Sequence, residues 1–175
     1  GVEITAGEHD ILLFSSAGKS IRFKESDVRS VGRTAIGVRG IRLADKDKVV
    51  SLIVAESDDP ILTATEKGYG KRTQLDEYRA QARGGSGVIS IKTSDRNGQV
   101  VGAIQVTDED EMMLISDKGT LVRARAADVS IIGRNTQGVT LINIADDEAL
   151  VSVAKIAETD DDEESAEDVN ETSEE

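Results

Sequence analysis

A threefold internal repeat constrains what this chain can fold into more than any other feature of its sequence. Each copy begins with a short apolar run that ends in a glycine, at Gly18, Gly68 and Gly119, so consecutive copies lie 50 and 51 residues apart. A basic alternating stretch, a loop of pattern Gly/Ala-Arg-x-x-x-Gly-Val and a second apolar run follow in the same order. Repetition at this period indicates an array of similar units that bury their cores against each other.

Each copy contains about four short runs rich in Val, Ile and Thr, separated by Gly, Asp and Asn. Such runs predict β-strands, and residues 95–98 are a hairpin signal between two of them. Four strands per copy at this period predict an all-β, propeller-like array of four-stranded antiparallel blades. We expect three blades, at about residues 8–57, 58–108 and 109–157.

The N-terminal residues are expected to be the remnant of a preceding blade. Gly1 and Val2 occupy the position of Gly102 and Ala103, in the last strand of a copy whose beginning would lie upstream. Three blades form an open arc, and exposed strand edges are a liability that natural proteins avoid. We therefore expect that more blades precede residue 1, with residues 1–7 belonging to the nearest of them.

The acidic residues are concentrated at the C-terminal end of the chain. The net charge is −13, but residues 158–175 contain eleven Asp and Glu and no Lys or Arg. Since the whole chain has 34 acids, the remainder has 23 acids against 21 bases. A segment of this composition has almost nothing to bury, so residues 158–175 are predicted to be a disordered tail. The body, residues 1–157, is nearly neutral and can carry basic patches.

Several classes of function have no support in the sequence. There is no cysteine, which suits a reducing cytoplasm, and His9 is the only histidine, so no metal site is expected. No apolar run is long enough to span a bilayer, so no membrane partner is expected. Tyr69 and Tyr78 have no general base at a recognisable spacing, and we interpret both as loop or core residues. No catalytic residue is predicted.

Basic residues recur at equivalent positions of the three copies, in the second predicted strand and at the glycine-flanked loop. Equivalent positions of a repeat array lie on the same side, so these rows are expected to form a curved basic stripe suited to the phosphates of a bent polyanion. The alternative is that each base pairs with a nearby acid, for instance Asp27 or Asp128. The candidate phosphate-binding residues are Arg22, Lys24, Arg33, Lys71, Arg72, Arg83, Arg123, Arg125 and Arg134.

The chain closely resembles the C-terminal domain of bacterial DNA gyrase A over its whole length. The resemblance is carried by Arg-Phe-Lys-Glu-Ser at 22–26, Gly-Val-Arg-Gly-Ile-Arg-Leu at 37–43, Gly-Tyr-Gly-Lys-Arg-Thr at 68–73, Gly-Val-Ile-Ser-Ile-Lys at 87–92 and Gly-Arg-Asn-Thr-Gln-Gly-Val at 133–139. It implies a β-pinwheel, which is propeller-like with strands exchanged between neighbouring blades and usually has six blades. Such a domain wraps double-stranded DNA around a basic rim.

The resemblance also implies the setting in which this domain acts. Wrapping supports ATP-dependent negative supercoiling by a type II topoisomerase, in a heterotetramer of gyrase A and gyrase B in the bacterial cytoplasm, associated with the nucleoid. ATP and Mg²⁺ are used elsewhere in that enzyme, so no cofactor is expected in this chain. The cleavage tyrosine lies in an N-terminal region absent here.

The family carries a signature heptad, Gln-Arg-Arg-Gly-Gly-Lys-Gly, in its first blade, which is not in this chain. A relaxed copy is present in the middle repeat, where Ala82 and Ser86 replace two basic residues of the heptad. This loop is expected to supply a supporting phosphate contact through Arg83, with the main anchor elsewhere. The matching residues are Gln81, Arg83, Gly84, Gly85 and Gly87.

Two alternatives and one further hypothesis remain at this point. The matching subunit of topoisomerase IV has a similar, more degenerate pinwheel, and a propeller-like protein-interaction module would make the basic rows incidental. The acidic tail is a candidate competitor of DNA for the basic rim. Deleting residues 158–175 should then tighten DNA binding at low salt, whereas an unchanged affinity would leave the tail as a solubility device.

Overall fold

The computed structural model describes residues 1–156, which form eleven β-strands and three single-turn 3-10 helices, so the prediction of an all-β chain is confirmed. The predicted acidic tail, residues 158–175, lies outside the described residues. The strands are β1 (Asp10–Ser15), β2 (Lys19–Lys24), β3 (Val49–Ala55), β4 (Ile61–Thr65), β5 (Tyr69–Thr73), β6 (Val88–Ile89), β7 (Val100–Gln105), β8 (Glu111–Ser116), β9 (Leu121–Arg125), β10 (Val139–Thr140) and β11 (Leu150–Lys155). The 3-10 turns are Glu25–Asp27, Leu75–Glu77 and Ala126–Asp128.

The strands form three antiparallel sheets that exchange their outermost strands. The sheet orders are β3-β1-β2-β6, β10-β5-β4-β7 and β11-β8-β9. Strand β6 belongs to the second repeat but pairs with β2 of the first, and β10 of the third repeat pairs with β5 of the second. The second and third repeats therefore each lend their outer strand to the blade before them. The exchange expected from the family resemblance is confirmed.

The turn at residues 95–98 does not close a hairpin. It joins β6 to β7, but β6 pairs with β2 and β7 pairs with β4, so the two strands it connects lie in different sheets. The side chain of Asn97 is buried and donates to the backbone oxygens of Lys92 and Gln137. The hairpin prediction is wrong because the outer strand leaves its own repeat, which a local turn signal does not reveal.

The two ends of the array are open within the described residues. Residues 37–42 are the counterpart of β6 and β10 in the first repeat, yet they form no strand, and residues 1–36 offer no edge of another blade for them to pair with. Strand β9 likewise has no neighbour on its outer side among residues 1–156. Residues 1–9 contain no strand, so the strand expected at Gly1 and Val2 is not formed. The existence of further blades upstream stays a prediction.

The core lies between the blades. Alternate residues of one strand face opposite neighbours, so Ile61 of β4 packs toward Leu12 and Phe14 of the first blade, while Leu62 packs toward Leu114 of the third. Tyr78 is 1% exposed and lies edge-on to Phe14, with ring centroids 5.8 Å apart. The interpretation of Tyr78 as a core residue is confirmed. Burial raises the pKa of its phenol.

Candidate nucleic-acid interface

Two of the predicted phosphate-binding arginines, Arg22 and Arg72, join neighbouring blades through hydrogen bonds to backbone oxygens of the following repeat. Arg72 has a side chain only 5% exposed, and its Nε donates to the backbone oxygen of Val129 at 2.9 Å while its guanidinium pairs with Asp108. Arg22 does the same one blade earlier, donating to the backbone oxygen of Leu75 at 3.0 Å and pairing with Asp10 at 2.5 Å. Each guanidinium satisfies carbonyls of the 3-10 turn region in the following repeat.

The prediction that Arg22, Lys71 and Arg72 lie on an exposed basic stripe is therefore corrected. Lys71 is completely buried, and its ammonium donates to backbone oxygens of the third repeat. Arg22 and Arg72 recur because each of the two junctions between blades needs donors for carbonyls that the following repeat buries. Recurrence in the sequence identified a real structural row, but the side chains point between blades.

The remaining cations of that row are exposed and paired with acids. Arg123 is the counterpart of Arg72 but has no following blade within the described residues, so it is 61% exposed and pairs with Glu111. Arg125 pairs with Asp128 at 3.0 Å, and Lys24 pairs with Asp10 at 2.7 Å. Although its burial acts to raise the pKa of Asp10, hydrogen bonds from Lys24 and Arg22 hold that pKa below its usual range.

The loop arginines occupy a different surface. Arg83 donates from one terminal nitrogen to the backbone oxygen of Arg39 at 2.8 Å, and Arg134 donates to the backbone oxygen of Ile89 at 2.7 Å. Arg39 and Ile89 are equivalent positions, so both junctions are built in the same way. Arg33, the counterpart in the first repeat, is exposed.

The three glycine loops and the residues beside them line one edge of the array. The second loop touches the first repeat where the backbone nitrogen of Gly84 donates to Gly40 at 2.6 Å, and the nitrogen of Lys92 donates to Thr136 of the third loop at 2.8 Å. We call this continuous edge the rim and define it as residues 29–42, 79–92 and 130–143. Its members come from all three repeats in chain order.

The heptad-like loop is shaped by its glycines and docks on the preceding blade. Gly87 has a φ of +69°, and a Cβ on it would lie 2.2 Å from the backbone oxygen of Ser20. The backbone nitrogen of Gln81 donates to Arg22 at 2.9 Å. The loop thus forms the joint between the first and second blades, and the phosphate contact expected of Arg83 stays a prediction.

The rim carries cations that the comparison of sequence rows missed. The sequence contained part of the pattern, because basic residues recur at positions 29 and 79 and at positions 42 and 92. These positions lie outside the predicted strands and glycine loops that were compared. All are exposed. These additional rim cations are Arg29, Arg39, Arg42, Arg79 and Lys92.

The three segments that form the rim carry charge of one sign, although the carboxylate of Glu77 contacts the third segment at Arg134. Although the chain has 34 acids, none lies within residues 29–42, 79–92 or 130–143. The basic residues are distributed unevenly, with four in the first segment, three in the second and Arg134 alone in the third. Positive charge on the rim therefore falls from the first repeat to the third. Such a surface favours a polyanion and orients it along the array.

A cavity of about 670 Å³ lies between the second blade and the third repeat. It is lined by acids such as Glu66 and Asp146 next to Lys67 and Arg96, and Arg96 lies 4.9 Å from the centre of the Tyr69 ring. Within residues 1–156, no three His, Cys, Asp or Glu side chains are grouped so that they could hold a metal ion. That part of the chain also has no helix of the length and apolarity needed to cross a membrane.

Comparison with known proteins gives concordant matches. The family model described as DNA gyrase C-terminal domain, beta-propeller, matches residues 9–56, 59–107 and 110–157. The chain is 60% identical over 164 residues to the DNA gyrase A protein of Klebsiella oxytoca and 57% identical over 163 residues to that of Escherichia coli strain K12. These matches cover 94% and 93% of the chain but only 19% of each relative, so the chain spans about a fifth of their length.

Solved structures show the same architecture. A DNA gyrase A C-terminal domain superposes with a TM-score of 0.81 at 30% identity, covering 87% of this chain and 52% of that one. The C-terminal domain of a DNA topoisomerase IV superposes with a TM-score of 0.86 at 26% identity, covering 99% of this chain and 55% of that one. The backbone alone therefore does not separate the two enzymes, whereas the high sequence identities are to gyrase.

Proposed function

Because the chain belongs to the DNA gyrase C-terminal domain family, we propose that it binds double-stranded DNA along its rim and bends it around the blades. The observation that carries this proposal is the rim, whose three segments contain no acid and present basic residues from three repeats in a chain that is otherwise acidic. Cations spaced along a curved edge contact the phosphates of a bent duplex and release its counterions. A duplex held in this way is selected by its deformability more than by its base sequence.

The uneven distribution of charge implies that the bound duplex is held with different strength along the rim. The first rim segment carries Arg29, Arg33, Arg39 and Arg42, whereas the third carries Arg134 alone, with Ser130, Thr140 and Asn143 at the other equivalent positions. DNA is then held most firmly at the first repeat and least firmly at the third.

Within the intact enzyme, the domain presents its wrapped DNA segment for strand passage. We place it in the gyrase A polypeptide of a bacterial enzyme that also contains gyrase B, uses ATP and Mg²⁺ outside this chain, and introduces negative supercoils in the cytoplasm. Support for this setting comes from the 57–60% identity to gyrase A proteins. The protein-interaction alternative predicts no salt-dependent DNA binding, so a salt series separates the two.

Neutralising the first rim segment tests the proposal. In the Arg33→Ala/Arg39→Ala/Arg42→Ala variant, affinity for a duplex should fall on the order of 100-fold near 0.1 M salt, and the slope of log K against log salt should decrease in magnitude by about 2.7, at about 0.9 per lost phosphate contact. The measurement is fluorescence anisotropy with labelled duplex DNA over a salt series.

The matched control removes three cations that are paired with acids and lie off the rim. The Lys24→Ala/Arg123→Ala/Arg125→Ala variant has the same net charge as the rim variant but should keep most of the salt slope. Equal losses of DNA affinity and of salt slope in the two variants would contradict the hypothesis that DNA binds along the rim. They would indicate that overall charge determines binding. Absence of binding by the unaltered chain would contradict the function itself.

A further inference from the structure

One lysine in the middle blade is completely buried and fully hydrogen-bonded. The ammonium of Lys71 donates to the backbone oxygens of Gly133 at 2.6 Å and Arg134 at 2.5 Å, and to the hydroxyl of Thr136 at 3.2 Å. An ammonium has three N–H donors, so each of them has an acceptor. All three acceptors belong to the rim loop of the third repeat, which Lys71 therefore ties to the middle blade.

The equivalent positions show that the fold does not require a lysine there. The counterparts of Lys71 are Ile21 in the first blade and Val122 in the third. Ile21 lies beside Gly85 of the second rim loop and is completely buried, so an apolar residue fills the same position at the first junction. Burying a charge is costly even when it is hydrogen-bonded. A charge retained at this one junction therefore points to a role beyond packing.

We propose that Lys71 is a positioning residue for DNA binding, which holds the backbone of residues 133–136 so that Arg134 is presented to a phosphate at the rim. Arg134 is the sole cation of the third rim segment. One of its terminal nitrogens donates to Ile89, and its backbone nitrogen donates to the carboxylate of Glu77 at 3.0 Å. The carbonyls of Gly133 and Arg134 are turned inward to Lys71, and these hydrogen bonds constrain the backbone of the loop. This inference rests on the proposed function.

The protonation of Lys71 makes the positioning dependent on pH. Burial lowers the pKa of Lys71 to about 8, the nearby carboxylate of Glu77 opposes this shift, and the charge of Arg134 adds to it. A neutral amine has two N–H donors instead of three and loses charge assistance in the bonds that remain. One acceptor in the loop then lacks its donor. DNA affinity is expected to fall as the pH rises through about 8.

Stability is expected to change in the opposite direction. The folded-state pKa of Lys71 lies below its ordinary value of 10.5. Between these two values the unfolded chain holds a proton that the folded chain has released, so the contribution of Lys71 to stability rises with pH. If the role of Lys71 were only structural, DNA binding would not weaken as the pH rises through about 8, because the stability of the fold increases over the same range.

The test compares Lys71→Met with a control that removes a lysine elsewhere. Lys155→Met is suitable because Lys155 lies on β11, off the rim, and pairs with Asp110 at 2.7 Å. At pH 7, Lys71→Met should bind duplex DNA about three- to tenfold more weakly and lose about 1 from the salt slope, as for one phosphate contact. The double variant Lys71→Met/Arg134→Ala should bind no more weakly than Arg134→Ala. Lys155→Met should bind like the unaltered chain.

Unchanged affinity and salt slope in Lys71→Met would overturn the proposal, as would a double variant much weaker than Arg134→Ala. If Lys71→Met does not fold, Lys71→Ile reproduces the residue of the first blade, and a series from pH 7 to pH 9 on the unaltered chain titrates Lys71 without a substitution. Affinity that stays constant over this series would also contradict the proposal.

Failure of the proposed function would be recognised separately. If the unaltered chain shows no salt-dependent DNA binding, the hypothesis that the rim binds DNA is wrong. The effect of Lys71 on the third rim loop is then measured by amide hydrogen exchange at residues 133–138. Faster exchange in Lys71→Met than in Lys155→Met would support positioning of the loop by Lys71. Equal exchange in the two variants would overturn it.

Discussion

Replacing Gly87 by alanine is expected to destabilise the chain by at least about 3 kcal/mol. A side chain at its φ of +69° costs about 1–2 kcal/mol, because L-residues disfavour the left-handed region. The added Cβ would also lie 2.2 Å from the oxygen and 2.8 Å from the carbonyl carbon of Ser20. Both atoms are backbone, so β2 and β6 must separate and lose the pairs Lys19–Ile89 and Ser20–Val88. Urea unfolding gives the free-energy change.

Gly37→Ala is the matched control, because Gly37 holds the same position in the first repeat. Its φ is +87°, but a Cβ there would meet no atom within 4 Å. The expected cost is the backbone term alone, about 1–2 kcal/mol. Equal losses for Gly37→Ala and Gly87→Ala would show that the exchanged strand β6 adds little to stability.

Arg72→Ala is expected to destabilise the chain by about 3 kcal/mol without changing the salt slope of DNA binding. The substitution leaves the buried backbone oxygen of Val129 without its donor, which costs about 1–3 kcal/mol, and it opens a cavity where the side chain was packed. Arg72→Met, which keeps much of the buried volume, should lose less. The two measurements are urea unfolding and the salt dependence of DNA affinity.

Arg123→Ala is the corresponding control at the open end of the array. This arginine is 61% exposed and pairs with Glu111 at the surface, so its removal should cost no more than about 1 kcal/mol. If instead Arg72→Ala lost about 1 from the salt slope with little loss of stability, the hypothesis that Arg72 joins two blades would be wrong. Arg72 would then be the phosphate contact that the sequence alone suggested.

The repeat made much of the fold predictable from sequence. Gly18, Gly68 and Gly119 set the period, and the short runs of Val, Ile and Thr predicted strands that the structure contains. Strand exchange was expected only through the family resemblance. Local signals pointed instead to a hairpin at residues 95–98, because nothing local shows that β6 pairs with β2.

The candidate site was only partly predictable. Arg22 and Arg72 recur as clearly as Arg83 and Arg134, and strand alternation gives no sign of which side chains another blade will cover. The buried cations therefore entered the predicted stripe, while Arg39 and Arg42, which lie in a segment without regular structure, were missed. Burial by a neighbouring repeat distinguishes the two groups, and it depends on how the blades stack.

The sequence alone determined the number of repeats and the strand-rich character of each, because these depend on local backbone chemistry and on periodicity. The tertiary structure decided which cations face solvent. Arg72 and Arg123 have equivalent sequence positions, yet one is 5% exposed and the other 61%, since a following blade covers only the first. The function of a cation here depends on its neighbour in space, which one repeat cannot specify for itself.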